Sequence, residues 1–227
     1  KLYNTEVGYR FQGPKRFLQA NFYHMNYRDQ LVLTGEINDV GAATRINVPE
    51  SYRLGIEIDG GWQIADWLGL AGNVGLSRNR IRAFTEFQDV YDANFVPMGQ
   101  EAVAHEETPI AFSPAVVGAL ALELKPVEAL SITLLNKYVG KQYIDNTQDE
   151  AAALDAYYFA NLRLIYRMEI KGWATLEWNA TIRNILDQSY VSNAWSYRYI
   201  YNGTPALDLG YYPQAGRNYL LGLNILF

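Results

Sequence analysis

Residues 52–64 read Tyr-Arg-Leu-Gly-Ile-Glu-Ile-Asp-Gly-Gly-Trp-Gln-Ile. The even positions, Tyr52, Leu54, Ile56, Ile58, Gly60, Trp62 and Ile64, carry no charge. The odd positions, Arg53, Gly55, Glu57, Asp59, Gly61 and Gln63, carry no large apolar side chain. A pleated strand places alternate residues on opposite faces and so separates these two sets, whereas a helix would mix them. The same separation recurs at Leu162–Ile170, Ala174–Ile182 and Tyr219–Phe227, and more weakly at Tyr3–Phe11, Leu68–Leu76, Val116–Leu124 and Leu130–Tyr138. Between Phe17 and Leu33 the alternation slips around His24-Met25-Asn26, where a bulge is expected.

The pattern predicts an all-β chain of nine strands, at about 2–11, 16–35, 50–64, 68–84, 108–125, 129–146, 155–170, 173–187 and 210–227. Their connections alternate short and long. The short ones are 12–15, 65–67, 126–128 and 171–172; the long ones are 36–49, 85–107, 147–154 and 188–209. Tight turns at one end of a sheet and excursions at the other are the layout of an outer-membrane barrel. Period two alone does not separate such a barrel from a soluble β-sandwich, because inverting the faces gives the same pattern. Strand length, alternating loop length and a polar face rich in Gly, Asn, Thr and isolated charges favour the membrane barrel. Aromatics near the strand ends fit two interfacial girdles: Trp62, Trp67, Trp173 and Phe227 on the short-turn side, Tyr52, Tyr138 and Tyr158 on the other.

Composition narrows the function. The 227 residues carry 19 Lys+Arg against 24 Asp+Glu, a net charge of -5 that argues against binding nucleic acid. With no Cys and only His24 and His105, disulfides, Cys-ligated metals, Cys nucleophiles and multi-His metal centres are excluded or disfavoured. No cofactor and no resident metal are expected. Aromatics make up 14%, with 18 Tyr and 5 Trp, side chains suited to a boundary between water and lipid. Mean hydropathy is -0.16, and no apolar run is long enough for a transmembrane helix or a signal peptide. An odd strand number is unusual for a bacterial single-chain barrel. The chain is therefore expected to be a fragment, or one piece of a barrel completed by another chain.

Three stretches carry a specific resemblance. Residues 22–58 contain Tyr27-Arg28-Asp29-Gln30-Leu31-Val32, then Asn38-Asp39-Val40-Gly41, then Asn47 through Glu57. Residues 182–193 read IRNILDQSYVSN, and residues 211–227 read YYPQAGRNYLLGLNILF. In this order they resemble the C-terminal part of TonB-dependent outer-membrane receptors of the Bacteroidetes type, over essentially all of residues 1–227. The resemblance implies the last nine strands of a 22-stranded transmembrane antiparallel β-barrel, with the plug domain and the N-terminal strands lying outside this chain. It implies that residues 2–11 run towards the periplasm, the same phase as the short-turn assignment. It further implies active import of a scarce ligand, most simply a ferric siderophore or related metal chelate, driven by TonB–ExbB–ExbD through the missing plug. The alternative is a barrel kept as a structural or interaction subunit of a larger outer-membrane assembly, without transport. An enzyme is not expected, since no Ser/His/Asp grouping is present and paired carboxylates such as Glu57 and Asp59 fit a charge-balanced lumen wall.

Candidate sites follow from this frame. Tyr219, Leu221, Leu223, Ile225 and Phe227 resemble the signal read by the barrel-assembly machinery, and equally suit a lipid-facing row. The excursion 188–209 carries Trp195, Tyr197, Tyr199 and Tyr201 at period two, with Arg198 among them. That spacing points to a strand raised above the membrane, either a stacking surface for ligand or a packing element. Acidic residues in 85–107 and 145–155 lack the spacing of a calcium loop and are expected to be solvated. His105 lies among acids, where a lone metal ligand is one reading and a surface histidine the favoured one. Arg78, Arg80 and Arg82 share the outward parity just past the apolar band, where either lipopolysaccharide phosphate or water would meet them. The expected partners are thus the remaining barrel and plug segments, outer-membrane lipid and lipopolysaccharide, the assembly machinery and the TonB system.

Overall fold

The computed structural model describes residues 1–227 as fourteen strands joined by turns, with one 3-10 turn at Glu150–Ala152. The strands are β1 (Leu2–Gln12), β2 (Arg16–Ile37), β3 (Ala43–Ala65), β4 (Leu68–Tyr91), β5 (Pro97–Pro109), β6 (Val116–Val127) and β7 (Leu130–Val139). They continue as β8 (Gln142–Tyr143), β9 (Ala153–Leu154), β10 (Tyr157–Ile170), β11 (Ala174–Arg183), β12 (Val191–Tyr201), β13 (Thr204–Pro213) and β14 (Asn218–Leu226). Nine of them form one antiparallel path in the order β1-β2-β3-β4-β6-β7-β10-β11-β14. These are the nine strands expected from period two. The path is a curved wall: β1 and β14 lie at its two edges and do not pair.

Register decides which face is which. Val7, Phe22, Ile56, Leu76 and Val116 are successive cross-strand partners, and so are Trp62, Leu70, Leu122, Leu134, Leu162, Ile182 and Tyr219. Every apolar parity set thus falls on one face of all nine strands. No second layer covers that face: Val7 is 67% exposed, Trp62 54% and Leu221 86%. The opposite face carries the charges, with Arg167 Nε donating to Glu177 Oε2 at 2.7 Å across the β10–β11 pair. A soluble sandwich would bury the apolar rows. Here the buried apolar clusters lie elsewhere, among the excursions. One joins Val32, Val48, Ile81 and Ile110; the other joins Ile144, Leu154 and Ala194.

The expected boundaries need correction at the excursion end. Residues 36–49 are mostly strand, closing in a tip at 38–42 where Asn38 Oδ1 accepts from Val40 N and Ala42 N and Gly41 takes a φ of 78°. Residues 85–107 are a hairpin of β4 and β5, and 188–209 hold the hairpin of β12 and β13. The expected strand 108–125 starts only at Val116, and 129–146 ends at Val139. The expected strand 210–227 is two strands, because Gln214 through Arg217 form a corner between β13 and β14. A hairpin standing in water has no apolar band to mark it, which is why polar content there reads as loop.

The bulge expected at His24-Met25-Asn26 is absent: β2 keeps unbroken register with β1 and β3 through those residues. The slip in the pattern is chemical. Tyr23 and Met25 sit on the charged face, and Tyr23 lies over its partner Gly55, where an added Cβ would come within 2.5 Å of Tyr23 Oη. Phe17 covers Gly61 in the same way. Two register shifts do lie nearby, at 33–37, where Gly35 has a φ of 96°, and at Arg82, which is left over between the pairs Ser51–Ile81 and Glu50–Ala83.

Candidate functional site

The extra residue at Arg82 re-aims the rest of β4. Below it Arg78 and Arg80 share the outer face with Leu76; above it Phe84 packs on the Val32–Ile81 cluster. Glu86, on the parity of Phe84, has a side chain only 18% exposed. It receives His105, whose Nε2 lies 2.9 Å from Glu86 Oε2 and whose ring stacks on Phe84 at 4.9 Å between centroids. His105 is therefore not the surface histidine expected of it. The hairpin register brings it there by pairing Phe84 with His105, a fact that no spacing in the sequence announces.

Arg198 on β12 joins the excursions. Its Nε donates to Asp145 Oδ2 at 3.0 Å and lies 4.0 Å from Glu86 Oε1, while Nη1 lies 2.9 Å from Asp149 Oδ2. Arg198 is 16% exposed and Asp145 only 6%, so this is a largely desolvated ion cluster. Asp145 also accepts from Thr147 N, Thr147 Oγ1 and Ser196 Oγ. Burial, then the Asp89, Glu86 and Asp145 charges, raise the Glu36 carboxyl above its usual pKa. The Ala151 N–H, followed by Arg198, lowers that of Asp149. Asp145 is thus a structural member of a buried cluster rather than a solvated loop charge, with the half-exposed Asp149 at its edge; Glu101 and Glu106 do remain exposed.

The aromatic residues of β12 fall on two levels. Trp195 lies against Gly210 of β13, inside the hairpin. Tyr197 Oη donates to Asp89 Oδ2 at 2.6 Å and shares a hydrogen bond with Tyr91 Oη, and its pKa is raised by burial and then by Asp89. Tyr199 stacks on Tyr197 and meets Tyr91 edge-on, and Tyr201 stacks on Phe95 at 4.4 Å. Three residues of β12, Tyr199–Tyr201, pair in parallel with Asp89–Tyr91, and Asn202 N donates to Tyr91 O. The tips of two hairpins are therefore bonded together and carry Tyr91, Phe95, Tyr199 and Tyr201. A further stack, Tyr157–Tyr190–Phe159, lies lower, with centroids 4.7 and 5.4 Å apart. Period two marked the β12 aromatics; Tyr190, in the irregular segment between β11 and β12, was marked only by its place in the 182–193 motif, and no spacing announced its stacking on Tyr157.

The motifs of 184–190 and 213–219 prove to be one unit. Asn184 is 3% exposed, and its Nδ2 donates to Gln188 O and Ala215 O. Asp187 Oδ1 accepts from Arg217 N at 2.7 Å, and Gln214 N donates to Tyr190 O. The two segments clasp at the corner that launches β14. These residues build backbone corners, so the motifs report architecture and not ligand.

Comparison with known proteins settles the family. A family model described as TonB dependent receptor-like, beta-barrel matches residues 1–185. The chain belongs to the TonB-dependent receptor β-barrel family. It is thus a protein of the Gram-negative outer membrane, from a family of transport receptors rather than enzymes; barrels of that membrane carry their longer excursions on the extracellular side. TonB-dependent receptors work with TonB–ExbB–ExbD and contain a plug domain. The chain has the fold of the ferric-catecholate import receptor Fiu of E. coli K12 in its closed form, at a TM-score of 0.66 and 17% identity, covering 100% of this chain and 27% of that one. The siderophore receptor PiuA of Acinetobacter baumannii gives 0.66 and 16%, covering 99% and 28%. The ferric citrate transporter FecA in its unliganded form gives 0.65 and 17%, covering 99% and 31%. The chain spans less than a third of the length of these receptors. No curated protein sequence matches it.

Proposed function

We propose that the chain forms the C-terminal nine strands of a 22-stranded receptor barrel of the Bacteroidetes type, and that the whole receptor imports a ferric siderophore or related metal chelate. The observation that carries this reading is the fused pair of hairpin tips, a rigid aromatic surface held above the barrel by the Arg198 cluster. Tyr199 and Tyr201, with Tyr91 and Phe95, are the surface a chelate meets; Phe95 is 59% exposed. Tyr197 and Arg198 support that surface from beneath and Trp195 braces the hairpin. Aromatic faces suit the flat rings and methylene arms of such chelates, and a rigid platform lowers the ordering cost of binding. The solved receptors sharing this fold include ones for ferric catecholates and ferric citrate, which supports an iron chelate over other cargo. Energy would come from TonB–ExbB–ExbD acting on the plug, and insertion from the assembly machinery reading Tyr219 through Phe227.

The test is uptake. Cells lacking the gene should lose accumulation of at least one radiolabelled iron chelate, and restoration should require both the receptor and TonB. Unchanged uptake across hydroxamate, catecholate and citrate chelates would refute the proposal and leave the structural-subunit alternative.

A further inference from the structure

Two features on the outer face of β4 stand in line along one strand. The first is a comb of cations. Leu76 ends the apolar band, and Arg78, Arg80 and Arg82 follow it on the same face beside the girdle residue Tyr52. At about 3.3 Å per residue the comb spans about 13 Å. Arg78 is exposed and makes no hydrogen bond or ion pair within the chain. Arg80 keeps one nitrogen on Glu107 O and Gln148, and Arg82 lies 3.8 Å from Glu50 with its guanidinium over the Tyr52 ring. Arg28 is exposed one strand further along, the cross-strand partner of Glu50.

The second feature lies directly below. A groove of about 850 Å³ opens on the lipid-facing side, between Ile58, Trp62, Leu120 and Tyr138. Its floor is bare backbone at Gly60, Gly72 and Gly118. Among its polar side chains on that face, Asn136 donates to Leu120 O and accepts from Tyr158 Oη at 2.5 Å, while Tyr138 and Arg16 stand at the groove's two ends. The middle of the groove, around Gly60, Gly72, Gly118 and Val74, carries no polar side chain on that face and suits a hydrocarbon chain. Val74, on its wall, is four residues from Arg78 on the same face of the same strand.

We propose that this face binds one molecule of the outer-leaflet glycolipid lipid A, with a phosphate on the Arg78–Arg82 comb and an acyl chain in the Gly60–Gly72–Gly118 groove. Charge complementarity selects the phosphate, since guanidinium groups form short, charge-assisted and often paired hydrogen bonds to it. The groove beneath selects a phosphate that carries a long chain, which free phosphate lacks. The inference rests on the outer-membrane location and is independent of which chelate is imported.

The test uses the intact receptor extracted in mild detergent and examined by native mass spectrometry for retained lipid A. Arg78→Glu removes the free cation, Gly118→Leu fills the groove where a Cβ has room at 3.4 Å, and Lys171→Glu in a tight turn is the control. Wild type and the control should retain lipid A, and the other two should each retain about tenfold less, the effect of losing one charged hydrogen bond or one buried chain segment. As a readout that needs no variant, wild-type receptor in phosphatidylethanolamine vesicles should melt higher with added lipid A than with dephosphorylated lipid A. Equal retention in all four proteins, or equal stabilisation by phosphorylated lipid A, dephosphorylated lipid A and phosphatidylglycerol, would overturn the proposal.

Discussion

Replacing Arg198 by Met should loosen the extracellular dome while leaving the barrel wall intact. Met keeps the length and apolar stem of Arg and removes its charge. The variant strands Asp145, which is 6% exposed, and leaves Glu86, at 18%, without its cation. Breaking a buried pair by removing one partner costs about 3–5 kcal/mol. The lower end applies here, because Asp145 keeps its bonds from Thr147 and Ser196. Asp149 is 40% exposed and adds less than about 1 kcal/mol. A loss of about 3 kcal/mol raises the population of opened hairpin roughly a hundredfold. Hydrogen exchange on the whole receptor in nanodiscs reads this directly: amides of Val191–Tyr201 and Thr204–Pro213 should exchange about a hundredfold faster, those of β6 and β7 unchanged. Asp145→Asn in the Arg198→Met background should recover part of the loss, since it removes the stranded charge. Unaltered exchange in the β12–β13 hairpin would refute the claim that Arg198 holds the dome.

The neighbouring carboxylates should show opposite pH behaviour. Glu36 has a raised pKa, so the folded dome binds its proton more tightly than the unfolded chain, and its ionisation costs stability at neutral pH. Glu36→Gln should slow hairpin exchange at neutral pH, and the gain over wild type should vanish as pH falls through that raised pKa. Asp149 has a lowered pKa, so it stabilises above the ordinary Asp range and loses that effect as pH falls; Asp149→Asn should speed exchange at neutral pH and converge with wild type in acid. The two barrel glycines should differ in rescue. Gly55→Ala meets the Leu76 carbonyl at 2.6 Å as well as Tyr23, so Tyr23→Ala should not restore the 1–3 kcal/mol or so lost to overpacking. The three atoms nearest an added Cβ at Gly61 all belong to the Phe17 ring, so Phe17→Ala should restore heat-modifiable mobility on gels to Gly61→Ala. Phe227, stacked edge-on against Trp173 at 5.9 Å, should be needed for insertion: Phe227→Ala should lower the assembled receptor in outer-membrane fractions, and unchanged levels would remove the assembly-signal role.

The barrel wall was legible from sequence because lipid on one side and water on the other impose a strict alternation. Every parity set from Tyr3–Phe11 to Tyr219–Phe227 lies on the face expected of it. The dome was not legible, because its order comes from contacts between distant residues. His105 meets Glu86 only through hairpin register, and Arg198 meets Asp145 only because β12 leans across to β4. Nor could alternation foresee the leftover residue at Arg82, which turns Glu86 inward with no change in composition. The Tyr23–Gly55 pair shows the converse: a local break in pattern at 23–25 was side-chain chemistry on a regular backbone.

The orientation of the β4 faces is best tested by single-cysteine spin labels along Leu70–Ser77 in the membrane-embedded receptor, which has no cysteine of its own in this region. Labels at Leu70, Val74 and Leu76 should be reached by oxygen dissolved in lipid, and labels at Ala71, Asn73 and Gly75 by a water-soluble nickel chelate. Oxygen accessibility without a two-residue period, or with the apolar positions shielded from both reagents, would contradict a wall with lipid on one side and water on the other.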